Sequence, residues 1–320
     1  MKKKLKIVLF MLVSLFAISA NGAPMAYSDN SDSGNLLTED SLYVIDLATG
    51  DNQSRGELVS GVESRVDTEG LAFAPDGQLW GIDDESLTLF PINEASGAVS
   101  VQSEISLSGF PIGGGNDFGM TFSCDNTLYI TSVTAQTLYT INMDGSREVV
   151  GAEGALGHNI SAIAAIGNPT RLYGLGNGQF EGGETDSPNL YSIDPQTGVA
   201  TFLFPLGAEA GEYGQGGLAF DTDGTLYAIT DRRIINNSIA DLPSQILRID
   251  IDSQTVTLLS TTTEVGFESL AIAPPSNCAI GGSEGDELPV IPTLGPVGRL
   301  LGIFVLLLSG SIVLRRRFSK

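Results

Sequence analysis

Five oxygen-bearing side chains recur along this chain, each at the start of a short apolar segment of the same kind. They are Glu69, Asp117, Asn159, Gln215 and Glu268. Carboxylate and amide oxygens are the ligands that Ca²⁺ prefers in proteins. If the segments bring these residues together, they form a ring that holds Ca²⁺; the alternative is the polar lining of a water-filled channel. Asp83, Asp84 and Asp231, at the ends of predicted second strands, are the next candidates.

Other catalytic chemistry lacks the residues that it needs. The one histidine, His158, lies in a loop-like sequence, and Ser-His-Asp or Cys-His catalysis would need it as the base. Lysine is absent between residues 27 and 290, which excludes a P-loop and a Schiff-base nucleophile there. Residues 281–285 match G-x-S-x-G, but they open no predicted helix and lie in an acidic linker, so we reject a nucleophile elbow.

The segments that would position the oxygen ligands are repeats. An apolar strand that runs into a Pro, Asp, Asn or Gly turn begins at Leu71, Met120, Ile163, Leu218 and Leu270, at intervals of 49, 43, 55 and 52 residues. Second and third strands follow each turn, and a turn at 194–198 leads to a fourth strand at 199–203. Four short antiparallel strands per unit predict the blades of a β-propeller; the alternatives are a β-sandwich and a solenoid.

The two ends of the repeat region complement each other. Residues 41–50 read as a third strand with its turn, and a fourth strand follows near 55–60. Residues 269–275 read as a first strand, with a second at 277–280. Joining the two ends makes a fifth blade and closes the ring without exposed edges. We therefore predict an all-β propeller of about five four-stranded blades at 41–280; six or seven blades stay open if two units are merged between 163 and 218.

The amino terminus is typical of a secretory signal peptide. Four lysines within the first six residues precede an apolar run at 7–20, and small residues follow it. The run is shorter than the roughly 20 residues that a membrane span needs. We predict export through the Sec machinery and cleavage after Gly22, so that 1–22 is the signal peptide. An uncleaved amino-terminal anchor is the alternative.

The carboxyl terminus has the order of a sorting address. The tetrapeptide Ile291-Pro292-Thr293-Leu294 precedes an apolar stretch at 300–314, and the basic residues Arg315, Arg316 and Arg317 follow. With snorkelling of Arg299 the stretch predicts a single-pass transmembrane helix. The basic end stays in the cytoplasm by the positive-inside rule, so the body faces outward.

This segment, residues 291–320, resembles the IPTL variant of the PEP-CTERM sorting signals of exported Gram-negative proteins. All four tetrapeptide residues match, and Gly298 lies where that family usually has Gly, whereas 295–297 depart from its usual continuation. The resemblance implies an exosortase-type membrane enzyme as a partner, release from an inner-membrane intermediate, and delivery to the cell surface or extracellular matrix.

Polar linkers flank the predicted propeller, at 23–40 and 281–290. Residues 29–40 imitate the Asp and Ser spacing of a calcium loop but lack its terminal Glu and flanking helices, so we assign them to the linker. Cys124 and Cys278 each lie just beyond a first strand. Export permits one disulfide between them, and two unpaired thiols are the alternative.

The charge of the body limits its partners. Between residues 27 and 290 there are 38 acidic residues and seven arginines, a net charge of −31. Such a surface repels nucleic acid and anionic lipids and attracts divalent cations. The alternative interpretation of this charge is a solvated acidic surface with no specific binding role.

Two functions follow as hypotheses. The first is a non-catalytic surface or matrix protein that binds an unknown ligand through its loops, and the missing catalytic groups favour it. The second is a Ca²⁺-dependent hydrolase at the channel, with Glu69 and Glu268 as ligands. Its arrangement is similar in kind to lactonases of the gluconolactonase type, whose funnel metal is held by Glu, Asn and Asp. No cofactor other than this Ca²⁺ is indicated.

Overall fold

The computed structural model describes residues 22–30, 40–60, 63–65, 67–107, 117–176, 189–235 and 238–278. They belong to one compact unit that ends at Cys278. Within these ranges the only helices are the short 3-10 helices Val101–Ser103 and Gly207–Glu209, and neither is long or apolar enough to cross a membrane. The predicted signal peptide up to residue 21, the predicted linker at 281–290, the predicted sorting motif and the predicted helix at 300–314 lie outside the described residues.

One blade, the closing blade, is built from both ends of the described chain. Its strands β1 (Met25–Asp29), β2 (Ser41–Asp46) and β3 (Asn52–Glu57) pair antiparallel in that order. Ala271 completes the blade on its inner side, because Tyr27 and Ala271 exchange both backbone hydrogen bonds, at 2.7 and 2.9 Å. The prediction that the two ends share one blade is therefore confirmed.

A two-residue hairpin and four complete blades make up the rest. The hairpin pairs β4 (Val59–Ser60) with β5 (Glu63–Ser64). In each complete blade, four strands pair antiparallel in chain order. Blade I has β6 (Thr68–Phe73), β7 (Leu79–Asp83), β8 (Thr88–Ile92) and β9 (Ile105–Ser106); blade II has β10 (Phe118–Phe122), β11 (Leu128–Ser132), β12 (Thr137–Ile141) and β13 (Arg147–Val149); blade III has β14 (Ile160–Ile166), β15 (Arg171–Gly176), β16 (Asn189–Ile193) and β17 (Ala200–Pro205); blade IV has β18 (Gly216–Phe220), β19 (Leu226–Ile235), β20 (Ser238–Asp250) and β21 (Thr255–Thr261). The predicted count of five blades is confirmed.

The hydrophobic core is divided among the blade interfaces. Five clusters of buried residues lie between blades I and II, II and III, III and IV, IV and the closing blade, and the closing blade and I. Because every blade packs on two neighbours, the ring has no open side. Burial explains the strand sequences: inner strands such as β14 are buried at every residue and read as apolar runs, whereas the outer strand β13 is exposed throughout.

The centre of the ring is packed rather than open. Leu71, Met120, Leu218 and Leu270 line it, and the spaces left there have volumes of about 30 and 10 Å³. A cavity of this size holds about one water molecule. The close packing requires glycine: a Cβ on Gly217 would lie 2.3 Å from the backbone nitrogen of Leu270, and one on Gly119 would lie 2.9 Å from Cα of Ala162. The water-filled channel considered from the sequence is therefore wrong.

The second strand of the closing blade differs from the prediction. It is β1, from the segment 23–40 that was assigned to a linker, and residues 277–278 form no strand. Met25–Asp29 has no apolar run. Backbone pairing with β2 on one side and with Ala271 on the other holds it in the blade. Asn277 has a positive φ of 58°, which turns the chain away from the sheet. The propeller thus begins at Met25 instead of residue 41.

Cys124 and Cys278 form a disulfide, with their Cα atoms 5.2 Å apart. The bond joins the turn between β10 and β11 to the chain just beyond the inner segment of the closing blade. Of the two alternatives that the sequence left open, the paired one is correct. The last described residue is thereby fixed to blade II.

Candidate functional site

The predicted ring residues lie at one end of the propeller, which we call the mouth: the starts of the inner strands and the ends of the second strands. The antiparallel pairing brings these positions together in each blade. Backbone hydrogen bonds join Val133 to Asp117 at 3.1 Å, Asp231 to Gln215 at 2.9 Å and Asp84 to Asp67 at 3.0 Å.

Three carboxylates converge at the mouth in blade I. One oxygen from each of Asp67, Glu69 and Asp84 lies within 4.8 Å of the others. Glu69 is buried, and the other two are half-buried. We call these three residues the carboxylate cluster.

A β-bulge places Glu69 in the cluster. Thr68 pairs with Asp83 and Gly70 pairs with Ile82, so Glu69 is the extra residue of β6. A bulge redirects a side chain and often lies next to a functional site. Asp67 and Asp84 come from the chain just before β6 and just after β7, so adjoining strand ends supply all three carboxylates.

The environment of the cluster favours a protonated carboxyl group. Burial raises the pKa of Asp84 to about 9, and a hydrogen bond with Asp67 and the charges of Asp67, Asp117 and Asp83 add to this effect. Oδ1 of Asp84 is buried and has no hydrogen-bond partner among the described residues. A cation here would neutralise charge that the protein otherwise neutralises with a proton.

A second buried carboxyl group, Asp29, lies at the mouth in the closing blade. The Ser269 hydroxyl donates a hydrogen bond to the Asp29 carboxylate, and the Asp29 amide donates one of 3.2 Å to the Ser269 Oγ. Burial raises the pKa of Asp29 to about 8, with contributions from the charges of Asp40 and Asp67. Its Oδ2 has no hydrogen-bond partner within the described ranges. Asp29 thus has two roles: its hydrogen bonds with Ser269 join the two ends of the chain, and its carboxyl group interacts with the other carboxylates of the mouth.

The five predicted ligands have different surroundings at this end. Glu69, Asp117 and Glu268 are buried, whereas Asn159 and Gln215 are half-buried. The Asn159 side-chain oxygen accepts a hydrogen bond of 2.8 Å from the Gln136 amide. Glu69 is the member of the predicted ring that belongs to the carboxylate cluster. A ligand role for the five together stays a prediction.

The next candidates, Asp83, Asp84 and Asp231, also have different surroundings. Asp84 belongs to the cluster, but Asp83 holds a turn, since its carboxylate accepts hydrogen bonds from the backbone amides of Asp67 and Ser86 at 3.1 and 2.7 Å. Asp231 accepts one from the Arg233 amide at 2.9 Å. Sequence reasoning missed Asp67, although its position two residues before Glu69 at the start of an inner strand was a usable signal.

His158 takes no part in the mouth cluster. Its ring lies 4.5 Å from the ring of Tyr191 at an interplanar angle of 35°, and the residue is half-buried. This contact gives the single histidine a packing role.

The fold and this site define the class of protein: an all-β, five-bladed β-propeller with an acidic mouth. No family model matches the chain, and no curated protein matches its sequence. Among solved structures, it is similar to virginiamycin B lyase from Staphylococcus aureus, with a TM-score of 0.38 and 17% identity over 75% of this chain and 71% of that one. A nidogen/laminin complex gives a TM-score of 0.45 and 13% identity over 74% and 78%. A streptogramin B lyase gives 0.40 and 13% over 79% and 88%. At these values no activity or ligand is transferred to this chain.

Proposed function

We propose that this chain is an exported binding module of the cell surface or extracellular matrix, and that a Ca²⁺ ion at its mouth forms part of the binding surface. The carboxylate cluster of Asp67, Glu69 and Asp84 carries the proposal. Two oxygens on opposite sides of a Ca²⁺ ion, at about 2.4 Å each, lie about 4.8 Å apart. The separation within the cluster is within that limit.

The shape of the mouth supports binding rather than catalysis inside the ring. The packed centre leaves about 10 Å³ beneath the mouth, which no organic substrate could enter. A ligand would therefore contact the mouth from outside, where an ion with open coordination positions could bridge it to the protein. Water and the ligand would complete the shell of six to eight oxygens that Ca²⁺ takes.

The C-terminal signal supports the location. The IPTL-type tetrapeptide, the apolar stretch and the arginines in 291–320 make an exosortase-type enzyme and the membrane its transient partners. The signal peptide supports export through the Sec machinery. The disulfide fits an oxidising compartment.

Calorimetric titration of the purified full-length protein with Ca²⁺ tests the ion site. We expect Asp67→Asn and Asp84→Asn each to weaken Ca²⁺ binding at least tenfold, because each removes a charged ligand. Glu148→Gln, on the exposed strand β13, is the matched control and should bind like the wild type. Equal affinity in all four proteins would reject the site.

A metal-dependent hydrolase is the second candidate. The hydrogen bond between Asp67 and Asp84, with the raised pKa of Asp84, resembles a pair in which one carboxyl group is an acid and the other a base. Assays with sugar lactones and phosphoesters separate the candidates. Turnover that needs Ca²⁺ and is lost in Asp84→Asn would establish the hydrolase and replace the binding module.

A further inference from the structure

We infer that the chain has a second binding site, for a neutral oligosaccharide, in a cleft between blades III and IV. The cleft lies at the end opposite the mouth, where turns join the first strand to the second and the third to the fourth. Its volume is about 590 Å³, within the range of roughly 300–1,000 Å³ of small-molecule sites. A second pocket of about 340 Å³ adjoins it and shares Asp223, Thr225 and Arg248 with it.

Two arginines make the cleft unusual for this protein. The body has seven arginines in all, and Arg171 and Arg248 both line this cavity. Both are exposed, and within the described part of the chain neither makes a side-chain hydrogen bond or an ion pair. Their guanidinium groups therefore offer hydrogen-bond donors that the fold itself does not use.

Acceptors lie beside these donors. Asp223, Asp250 and Asp252 line the same cavity, together with hydroxyl groups of Thr255 and Thr257. The Asp250 carboxylate accepts a hydrogen bond of 2.9 Å from the Ser253 amide, which lowers its pKa and keeps it charged. The cleft thus offers both donors and acceptors, with two positive charges against three negative ones.

This lining selects the class of ligand. An anionic ligand would meet three carboxylates in a body of net charge −31, and a cationic one would meet both guanidinium groups. A sugar carries no charge, and each hydroxyl both donates to a carboxylate and accepts from a guanidinium. A cleft of about 590 Å³ with an adjoining pocket has room for more than one sugar unit.

An aromatic contact and a covalent bond hold two parts of the cleft wall in place. Tyr173 and Phe220, which are largely buried, pack edge to face in its floor with their ring centroids 5.6 Å apart. On one side, Asn277 directly precedes Cys278, so the disulfide to blade II holds it at the cleft. A site that is already ordered loses less conformational entropy when a ligand binds.

Titration calorimetry of the purified full-length protein with cellohexaose, maltohexaose, laminarihexaose and chitohexaose tests the inference. We expect binding of at least one of them, weakened about tenfold in both Arg171→Gln and Arg248→Gln, since each loses a charged hydrogen-bond donor. Arg55→Gln, an exposed arginine on β3, is the matched control and should bind as the wild type does. Unchanged thermal unfolding midpoints establish that the variants are folded.

Three outcomes would overturn the inference. They are no binding of any neutral hexasaccharide at millimolar concentration, equal binding by the Arg171→Gln/Arg248→Gln double variant, and binding only of an anionic probe, hexagalacturonate, that is lost in high salt. EDTA separates the two ends of the molecule, because sugar binding in the cleft should survive removal of Ca²⁺ from the mouth.

Discussion

The aspartates of this protein perform two opposite tasks. Those in turns accept hydrogen bonds that lower their pKa values: Asp144 accepts from the Ser146 hydroxyl and from the Ser146 amide, the latter at 2.9 Å, and Asp194 accepts from the Gln196 amide at 2.8 Å. Asp29 and Asp84, at the mouth, have raised pKa values because they are buried among other carboxylates. Part of the acidic composition therefore serves to stabilise turns. A smaller group of carboxyl groups is buried together at the mouth, where their negative charges are unfavourable.

The buried carboxyl group of Asp29 predicts a pH dependence of stability. Its pKa is about 8 in the folded protein and about 4 in the unfolded chain, so the folded state binds more protons between these values. The free energy of unfolding should therefore fall as the pH rises from about 5 to 7, by up to about 1.4 kcal/mol per pH unit for one such group. Asp29→Asn, which resembles the protonated form, should flatten that slope.

Urea unfolding in EDTA at several pH values, for the wild type and for Asp29→Asn, measures this effect. Asp144→Asn is the control, because its carboxyl group lies in an exposed turn with a lowered pKa. Identical slopes in the wild type and Asp29→Asn would show that Asp29 is charged in the folded protein.

At the scale of elements, the disulfide fixes the inner segment of the closing blade, where a single bridge at Ala271 stands in place of the strand predicted at 269–275. Ala271 pairs with Tyr27 on one side, and the chain ends its described path seven residues later at Cys278. The bond closes a loop with a sequence separation of 154 residues, and long loops gain the most from such a cross-link. It therefore ties the inner segment of the closing blade to blade II.

Removal of this disulfide should be costly. We expect Cys124→Ala/Cys278→Ala to lower the free energy of unfolding by about 2–5 kcal/mol, through the greater conformational entropy of the unfolded chain. Denaturant unfolding measures the loss, and the reduced wild type should behave like the double variant. A loss below about 0.5 kcal/mol in both would show that packing alone holds this inner segment.

The elements that sequence reasoning predicted share one property: local signals define both of their ends. β10 and β18 are apolar strands that stop at Asp and Asn or Gly turns, so their positions follow from the sequence. β1 carries no such signal: it pairs along its length with β2, and its other side pairs only with Ala271, more than 240 residues away. The bulge at Glu69 is also invisible locally, so the sequence does not show that the Glu69 side chain joins those of Asp67 and Asp84.

At the scale of the whole molecule, closure depends on few residues. β1 contributes Ala26 to the cluster between the closing blade and blade IV, and Tyr27 packs against the cluster shared with blade I. The Tyr27 ring also contacts that of Phe73 edge to face, with centroids 5.8 Å apart. The repeat intervals predicted the ring, because joining the complementary ends of a five-unit pattern in one blade leaves no exposed strand edge.

Truncation tests this closure. A chain that begins at residue 40 lacks β1, so Ala271 and β2 lose their common partner and two of the five interfaces open. We expect it to lose the cooperative thermal transition and to bind the dye ANS, whereas a chain that begins at residue 23 keeps both the transition and a dye-free surface. A chain that ends at residue 280, from which the predicted linker and membrane helix are absent, controls for shortening as such and should melt like the longer one. If the chain from residue 40 melted cooperatively at the same midpoint, the ring would not need its amino-terminal strand. β1 would then contribute nothing measurable to the stability of the propeller.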